Sequence, residues 1–276
     1  MSVKITTLIE NSAGEHHGLN SEHGLSFFIE KDDTRILFDT GQTGLFITNA
    51  EQLRVDLTSL DHVVLSHGHY DHSGGLRSLA QLTTEFNLIM GQGFFDEKYG
   101  FKNNSHEYLG NNFDENFLTE KGIAFQYTSN PCTELVPDVF VITSFLRVHE
   151  DEKINPRFKI LKDDAFSEDS FADEVLLAID TPKGLIVLLG CSHPGMKNML
   201  DFTTEHLKRP LYAVLGGTHL VEANEESLAK SMDYLHNDDL KIIGVSHCTG
   251  DAATNQLAAS NSRYFHNHTG SSLLVE

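Results

Sequence analysis

Cysteine is scarce in these 276 residues: Cys132, Cys191 and Cys248 are an odd set with no CxxC pair. That excludes a disulfide scaffold and fits a reducing compartment. Proline is scarce too, at 6 residues, and no Pro/Gly/Ser-rich linker interrupts the chain. The simplest organisation is therefore one domain over residues 1–276. Long apolar runs are missing. Leu185 to Leu189, among the longest, falls far short of the roughly 20 residues a membrane helix needs, and the opening MSVKITTLIE lacks the apolar core of a signal peptide. The expectation is a soluble, cytoplasmic protein. Basic residues are the last shortage: 20 Lys and Arg against 40 Asp and Glu leave a net charge of −20. A field of that sign repels phosphate backbones and anionic membrane surfaces, so the expected partner is a small-molecule substrate, with no nucleic acid and no membrane.

What the chain has in quantity is histidine, at 16 residues, and several of these stand where strands end. Val3 to Ile9, Leu25 to Glu30 and Arg35 to Phe38 read as a strand and a hairpin turning at Lys31-Asp32-Asp33. A helical stretch over Leu45 to Leu53 leads into the short buried strand His62 to Leu65, and Leu76, Leu79 and Leu82 give helical spacing after it. Residues 91–135 scatter aromatic side chains, Phe94 to Phe117 among them, between Gly and Asn without a clean period, which reads as a long irregular insertion, a candidate substrate lid. Beyond it, Val175 to Ile179 and Leu185 to Leu189 form a hairpin. Three apolar runs then end alike: Leu185 to Leu189 before Gly190-Cys191-Ser192-His193, Leu211 to Leu215 before Gly216-Gly217-Thr218-His219, and Ile242 to Val245 before Ser246-His247. A helical segment follows each. Hairpins and strand–helix units in both halves predict an α+β class with two sheets packed face to face and helices outside.

The sharpest signal is Ser66-His67-Gly68-His69-Tyr70-Asp71-His72, set between a strand and a helix. Four ligand-type side chains fall within six residues, a spacing that about 4 in 1,000 shuffled chains of this composition reproduce. Imidazole nitrogens and carboxylate oxygens suit zinc, iron and manganese, and alternate side chains of such a loop can address two neighbouring ions. His67 and His69 need a further ligand for one ion, and Asp71 and His72 need one for the other. The strand-end residues His193, His219 and His247 are the natural donors, because sites in layered sheet folds assemble outside the carboxyl ends of strands. Asp39, after the strand ending at Phe38, is placed to accept the outer N–H of a ligating histidine, or else serves an Asp-Thr-Gly turn. Cys191 and Cys248 read first as small packing residues. His16, His17 and His23 read as pocket-rim or loop residues.

The run His67, His69, Asp71, His72 matches HxHxDH, and on it the sequence resembles the metallo-β-lactamase superfamily. Glu22 to Phe27, Leu37 to Gly41, Gly190 to Gly195 and His247 to Gly250 are similar to one subgroup within it. That subgroup comprises proteins like 7,8-dihydropterin-6-methyl-4-(β-D-ribofuranosyl)-aminobenzene-5′-phosphate synthase. The resemblance implies a four-layer αββα sandwich with a one- or two-metal hydrolytic site at one edge of the sheets. It implies two divalent metal ions, zinc first with iron or manganese as alternatives, held by His67, His69 and His193 and by Asp71, His72 and His247. Where many members place a bridging Asp, this chain has Gly190-Cys191-Ser192, so Cys191 either replaces that bridge or lies beside it. His219 is the rival to His193.

The function expected is that of a dinuclear metal-dependent hydrolase acting through metal-activated water on a small ester or phosphoester, with Asp71 as the catalytic residue and Arg147 or Lys153 available for an anionic substrate portion. Two alternatives stand beside it. One is the synthase (transferase) reaction of the subgroup, joining a dihydropterin to an aminobenzene-ribose phosphate; the other is a non-catalytic metal-dependent ligand binder. A diiron redox role is disfavoured, since those relatives resemble HxExDH and this chain has His69 at the Glu position.

Overall fold

The computed structural model describes residues 2–15 and 18–276; His16 and His17 lie outside them. The chain divides into two compact units, one of Met1–Thr128, Pro156–Asp169 and His268–Glu276, the other of Ser129–Asn155 and Ser170–Asn267.

The first unit opens with the antiparallel strands β1 (Val3–Ile9), β2 (Ser26–Lys31) and β3 (Thr34–Phe38). Helix α1 (Leu45–Leu53) leads to β4 (His62–Val64), and α2 (Tyr70–Ser73) and α3 (Leu76–Leu82) lead to β5 (Asn87–Gly91). The hairpin β6 (Glu97–Lys102) and β7 (Ser105–Tyr108), then α4 (Glu115–Lys121), precede β8 (Ala124–Thr128). β3, β4, β5 and β8 run parallel. Parallel neighbours need a crossover, and the helices supply it. Phe46 and Ala50, four residues apart on α1, bury against Leu37, Val63, Leu65 and Leu88, as do Leu76 and Leu79 of α3. α4 is well bounded: the Asp114 carboxylate accepts from Phe117 N at 2.9 Å, and Gly122 ends the helix at φ 69°.

The second unit starts with β9 (Cys132–Val136) and β10 (Val139–Ile142). After a return to the first unit for the hairpin β11 (Phe158–Lys162) and β12 (Ala165–Glu168), the chain continues with β13 (Leu176–Thr181) and β14 (Gly184–Leu189). α5 (Met196–Leu207), β15 (Leu211–Gly217), α6 (Glu225–Leu235), β16 (Ile242–Ser246) and α7 (Asp251–Ser260) follow. This unit has one six-stranded sheet, in the order β16-β15-β14-β13-β10-β9, with β14, β15 and β16 parallel. All six residues of β14 are buried, as the unbroken run Leu185 to Leu189 requires. Finally β17 (Ser272–Val275) goes back to the first unit and pairs with β1, completing a seven-stranded sheet ordered β17-β1-β2-β3-β4-β5-β8. The α+β class and the strand–helix alternation read from the sequence are what the structure has.

Residues 91–135 depart from the irregular insertion expected of them. β6 and β7 turn through Asn103-Asn104, both at positive φ (53° and 60°), the conformation that matches the twist of a two-residue hairpin. Strand β6 also pairs with β11, giving a four-stranded sheet ordered β12-β11-β6-β7. Its aromatics lack a period because they answer one another across strands: Tyr99 meets Tyr108 and Phe166 edge-on, and His106 stacks on Phe166. Phe94, Phe113 and Phe117 belong to the first unit's core. A second departure is local, since Asp71 and His72 stand on the one-turn helix α2 rather than on an open loop. Among the described residues no helix is long and apolar enough to cross a membrane.

Candidate metal centre

In the first unit the site begins at the carboxyl ends of β3 and β4, neighbours in the sheet. Asp39 leaves β3 in the left-handed region (φ 60°) and is fully buried. Its Oδ1 accepts from Ser66 N at 2.7 Å and its Oδ2 accepts from Ser66 Oγ at 2.8 Å. The same Oδ2 lies 2.6 Å from His72 Nδ1, which therefore carries the proton and donates. Ser66 has one hydroxyl proton, and Asp39 takes it. Toward His67 Nδ1, 2.9 Å away, Ser66 Oγ can only accept, so Nδ1 of His67 is also the N–H. One carboxylate thus sets two tautomers, directly and through a hydroxyl, and leaves the Nε2 lone pairs of His67 and His72 as the coordinating atoms.

Those lone pairs have company. His67 Nε2 faces His69 Nδ1 at 3.0 Å, and the His67 and His72 rings lie 4.4 Å apart. Asp71 Oδ2 lies 3.7 Å from His72 Nε2 and 3.2 Å from Nε2 of the half-exposed His23. Burial, reinforced by the neighbouring His72 and His69, holds His67 well below the ordinary histidine range, which keeps its imidazole neutral. Gly68 is obligatory here: a Cβ would meet Phe94 O at 2.2 Å. The Phe158 ring of β11 backs His69 at 5.7 Å, and the buried pair Lys98–Asp169, 2.7 Å apart, stands in the same unit. Buried imidazoles, two of them with Nδ1 engaged as donor, and a carboxylate are a donor set that fits zinc, iron or manganese.

In the second unit His193, His219 and His247 each follow a parallel strand. Ser192, His219 and His247 all take positive φ (64°, 52° and 55°), a costly conformation for non-glycine residues that turns the chain sharply at each strand end. The buried Glu174 carboxylate accepts from Ser192 N and, at 2.9 Å, from His193 N. Phe171 stacks on the His193 ring at 3.7 Å, and the His193 and His219 rings are 4.3 Å apart. Ligand atoms of Cys191, His219 and Cys248 lie within 4.8 Å of one another. Burial alone raises the Cys248 thiol, but bonds from Cys191 and His219 and the positive fields of His247 and His219 bring it well below the ordinary cysteine range. Burial likewise opposes a charge on His219, and its bonds to Cys248 and Glu222 overcome this, raising it to about 10.

The first unit therefore gathers His67, His69, Asp71, His72 and Asp39, and the second gathers His193, His219 and Cys191, with His247 buried at the end of β16. Arg147 and Lys153 are exposed. Sequence reasoning missed Ser66, Glu174 and Phe171. Ser66 precedes the motif, but its partner Asp39 lies 27 residues away at the end of a neighbouring strand; Glu174 stands ahead of an apolar strand and Phe171 is a lone aromatic, with no local pattern to mark either.

Three comparisons bear on this arrangement. The family model for the metallo-beta-lactamase superfamily matches residues 20–85. A protein of Methanocaldococcus jannaschii named 7,8-dihydropterin-6-methyl-4-(β-D-ribofuranosyl)-aminobenzene-5′-phosphate synthase is 32% identical over 270 residues, which cover 92% of this chain and 90% of that one. An uncharacterized protein of the same organism is 29% identical over 96% of this chain and 98% of its own length. Among solved structures, Tm1679, a metal-dependent hydrolase of the β-lactamase superfamily, superposes with a TM-score of 0.85 at 26% identity over 98% of both chains.

Proposed function

We propose, from the premise that the chain belongs to the metallo-β-lactamase superfamily, that it is a metal-dependent hydrolase of small esters or phosphoesters with a dinuclear centre. The family implies divalent metal binding. The ligands proposed are His67, His69 and His193 for one ion and Asp71, His72 and His247 for the other, zinc first. The observation that carries the reading is the bonding of Asp39 to Ser66 and His72, which leaves the Nε2 atoms of two buried imidazoles as lone-pair donors.

A bound divalent cation supplies Lewis acidity, which makes water reactive near neutral pH and polarises a carbonyl or phosphoryl oxygen. The chain's own residues do the rest. Asp39 and Ser66 keep His67 and His72 in one orientation. Asp71, on α2, offers a carboxylate oxygen to orient the attacking water and to accept its proton, and His23, 3.2 Å from that carboxylate, steadies it. Glu174 fixes the backbone that carries His193.

The test is a panel of phosphodiester, phosphomonoester, lactone and thioester substrates under zinc, manganese and iron, with Asp71→Ala and His72→Ala alongside. Both variants are expected to lose bound metal and to lower turnover by at least about a hundredfold. A metal-free variant with full activity overturns the reading, and tight binding without turnover of any substrate points to a ligand binder instead.

The synthase reading is favoured by one finding, the 32% identity to a protein carrying that name. A condensation assay with a dihydropterin diphosphate and an aminobenzene-ribose phosphate separates the two. Product formed there with no hydrolysis across the panel selects the transferase.

A further inference from the structure

The second unit holds a group of side chains that the proposed hydrolytic centre leaves largely unused. Cys191 follows β14, His219 follows β15 and Cys248 follows β16, so three adjacent parallel strands each contribute one. Their sulfur and ring-nitrogen atoms lie within 4.8 Å of one another. Tetrahedral zinc, with bonds of about 2.3 Å to sulfur and about 2.0 Å to nitrogen, spaces such atoms about 3.5–3.8 Å apart. Small sideways rotations close the difference.

The frame around them is braced. Ser192 Oγ donates to Gly217 O at 2.8 Å, tying the end of β14 to that of β15, and Thr218 Oγ1 donates to Thr249 Oγ1 at 2.9 Å, tying β15 to β16. His219 N donates to Cys248 Sγ at 3.2 Å, the kind of backbone bond that orients a metal-bound thiolate. Gly217 lets the sulfur in: a Cβ there would sit 2.6 Å from Cys248 Sγ. Packing alone accounts for two buried thiols; a ring nitrogen of His219 within 4.8 Å of both sulfurs adds a third ligand-type atom.

We propose that Cys191, His219 and Cys248 form a thiolate-rich site for a soft divalent ion such as zinc, with one open coordination position. The proposal does not depend on the hydrolytic reading. Metal entry releases to solvent the protons that the two sulfurs and the coordinating ring nitrogen carry, and leaves two thiolates and a neutral imidazole as ligands.

The test uses the full chain, stripped with chelator and titrated with cadmium, which reports thiolate ligation as charge-transfer absorption. The unmodified chain is expected to show this band, with an amplitude corresponding to two thiolates. Cys248→Ala should at least halve the band and weaken one equivalent of bound metal, His219→Ala should weaken that equivalent at least about tenfold, and Cys132→Ala should change nothing. In Asp71→Ala, where the hydrolytic centre is impaired, the band should persist. X-ray absorption of the zinc-loaded unmodified chain guards against misfolded variants and is expected to show sulfur at about 2.3 Å. A shell of nitrogen and oxygen alone overturns the proposal. So does a band that Cys191→Ala abolishes and Cys248→Ala leaves whole, since Cys191 then serves the hydrolytic centre only. Loss of two free thiols in air with no metal-dependent band, a Cys191–Cys248 disulfide, overturns it as well.

Discussion

Asp39 is the residue on which the first unit's cluster turns. A buried carboxylate is costly unless its oxygens are satisfied, and here Ser66 N, Ser66 Oγ and His72 Nδ1 satisfy them. Asp39→Ala strands a backbone N–H and an imidazole N–H, and is expected to cost about 3–5 kcal/mol by urea unfolding. Asp39→Asn keeps an acceptor but can donate where it should accept, so its signature is a fall in metal affinity of about 10–100-fold in chelator competition. Equal affinity in Asp39→Asn and the parent contradicts this role. The residue was legible because Asp-Thr-Gly after an apolar run offers a carboxylate at a strand end. Its intermediary Ser66 was not, because a serine's partner is set by which strands are neighbours, and β3 meets β4 across 27 residues of sequence.

At the scale of the element, β14 and α5 could be read directly, β14 because burial on both faces leaves an unbroken apolar run and α5 because its buried face leaves helical spacing. β7 and β12 could not: every residue of both is exposed, so no apolar alternation exists to find, and their sheet rests on pairings between β6 and β11 some 60 residues apart. Nor could the entry to α5 be read. There Glu152, arriving from another segment, accepts from Lys197 N at 2.8 Å and Asn198 N at 2.9 Å and occupies the positive end of the helix. Burial nevertheless pushes its carboxyl above the usual range, the two backbone bonds opposing. A raised carboxyl contributes stability that is full below its ordinary value of 4.5 and is lost as pH rises through the raised one. Glu152→Gln, which keeps a carbonyl acceptor and cannot ionise, is expected to unfold at a urea midpoint that gains on the parent between pH 4.5 and pH 7. Parallel pH profiles for the two proteins contradict this.

For the whole molecule, the fold is that of the metallo-β-lactamase superfamily, and the motif at 67–72 was enough to anticipate it. What the motif could not supply was the chain path, which passes from one compact unit to the other four times. Metal binding as proposed would couple to folding, because an unfolded chain holds no preformed site. Zinc at a hundred times its dissociation constant is expected to add about 2.7 kcal/mol per site, read as a rise in Tm that chelator reverses and that His72→Ala diminishes. A Tm indifferent to both zinc and chelator rejects that coupling.

The pairing of β17 with β1 has a bearing on biosynthesis. Val275 lies opposite Val3, so β1 waits during translation for a segment about 270 residues further along the chain before its outer edge is covered. Until then a nascent chain displays an open β edge to whatever is near, a template for illegitimate pairing. Loss of β17 therefore threatens solubility during translation while every proposed metal ligand is still in place.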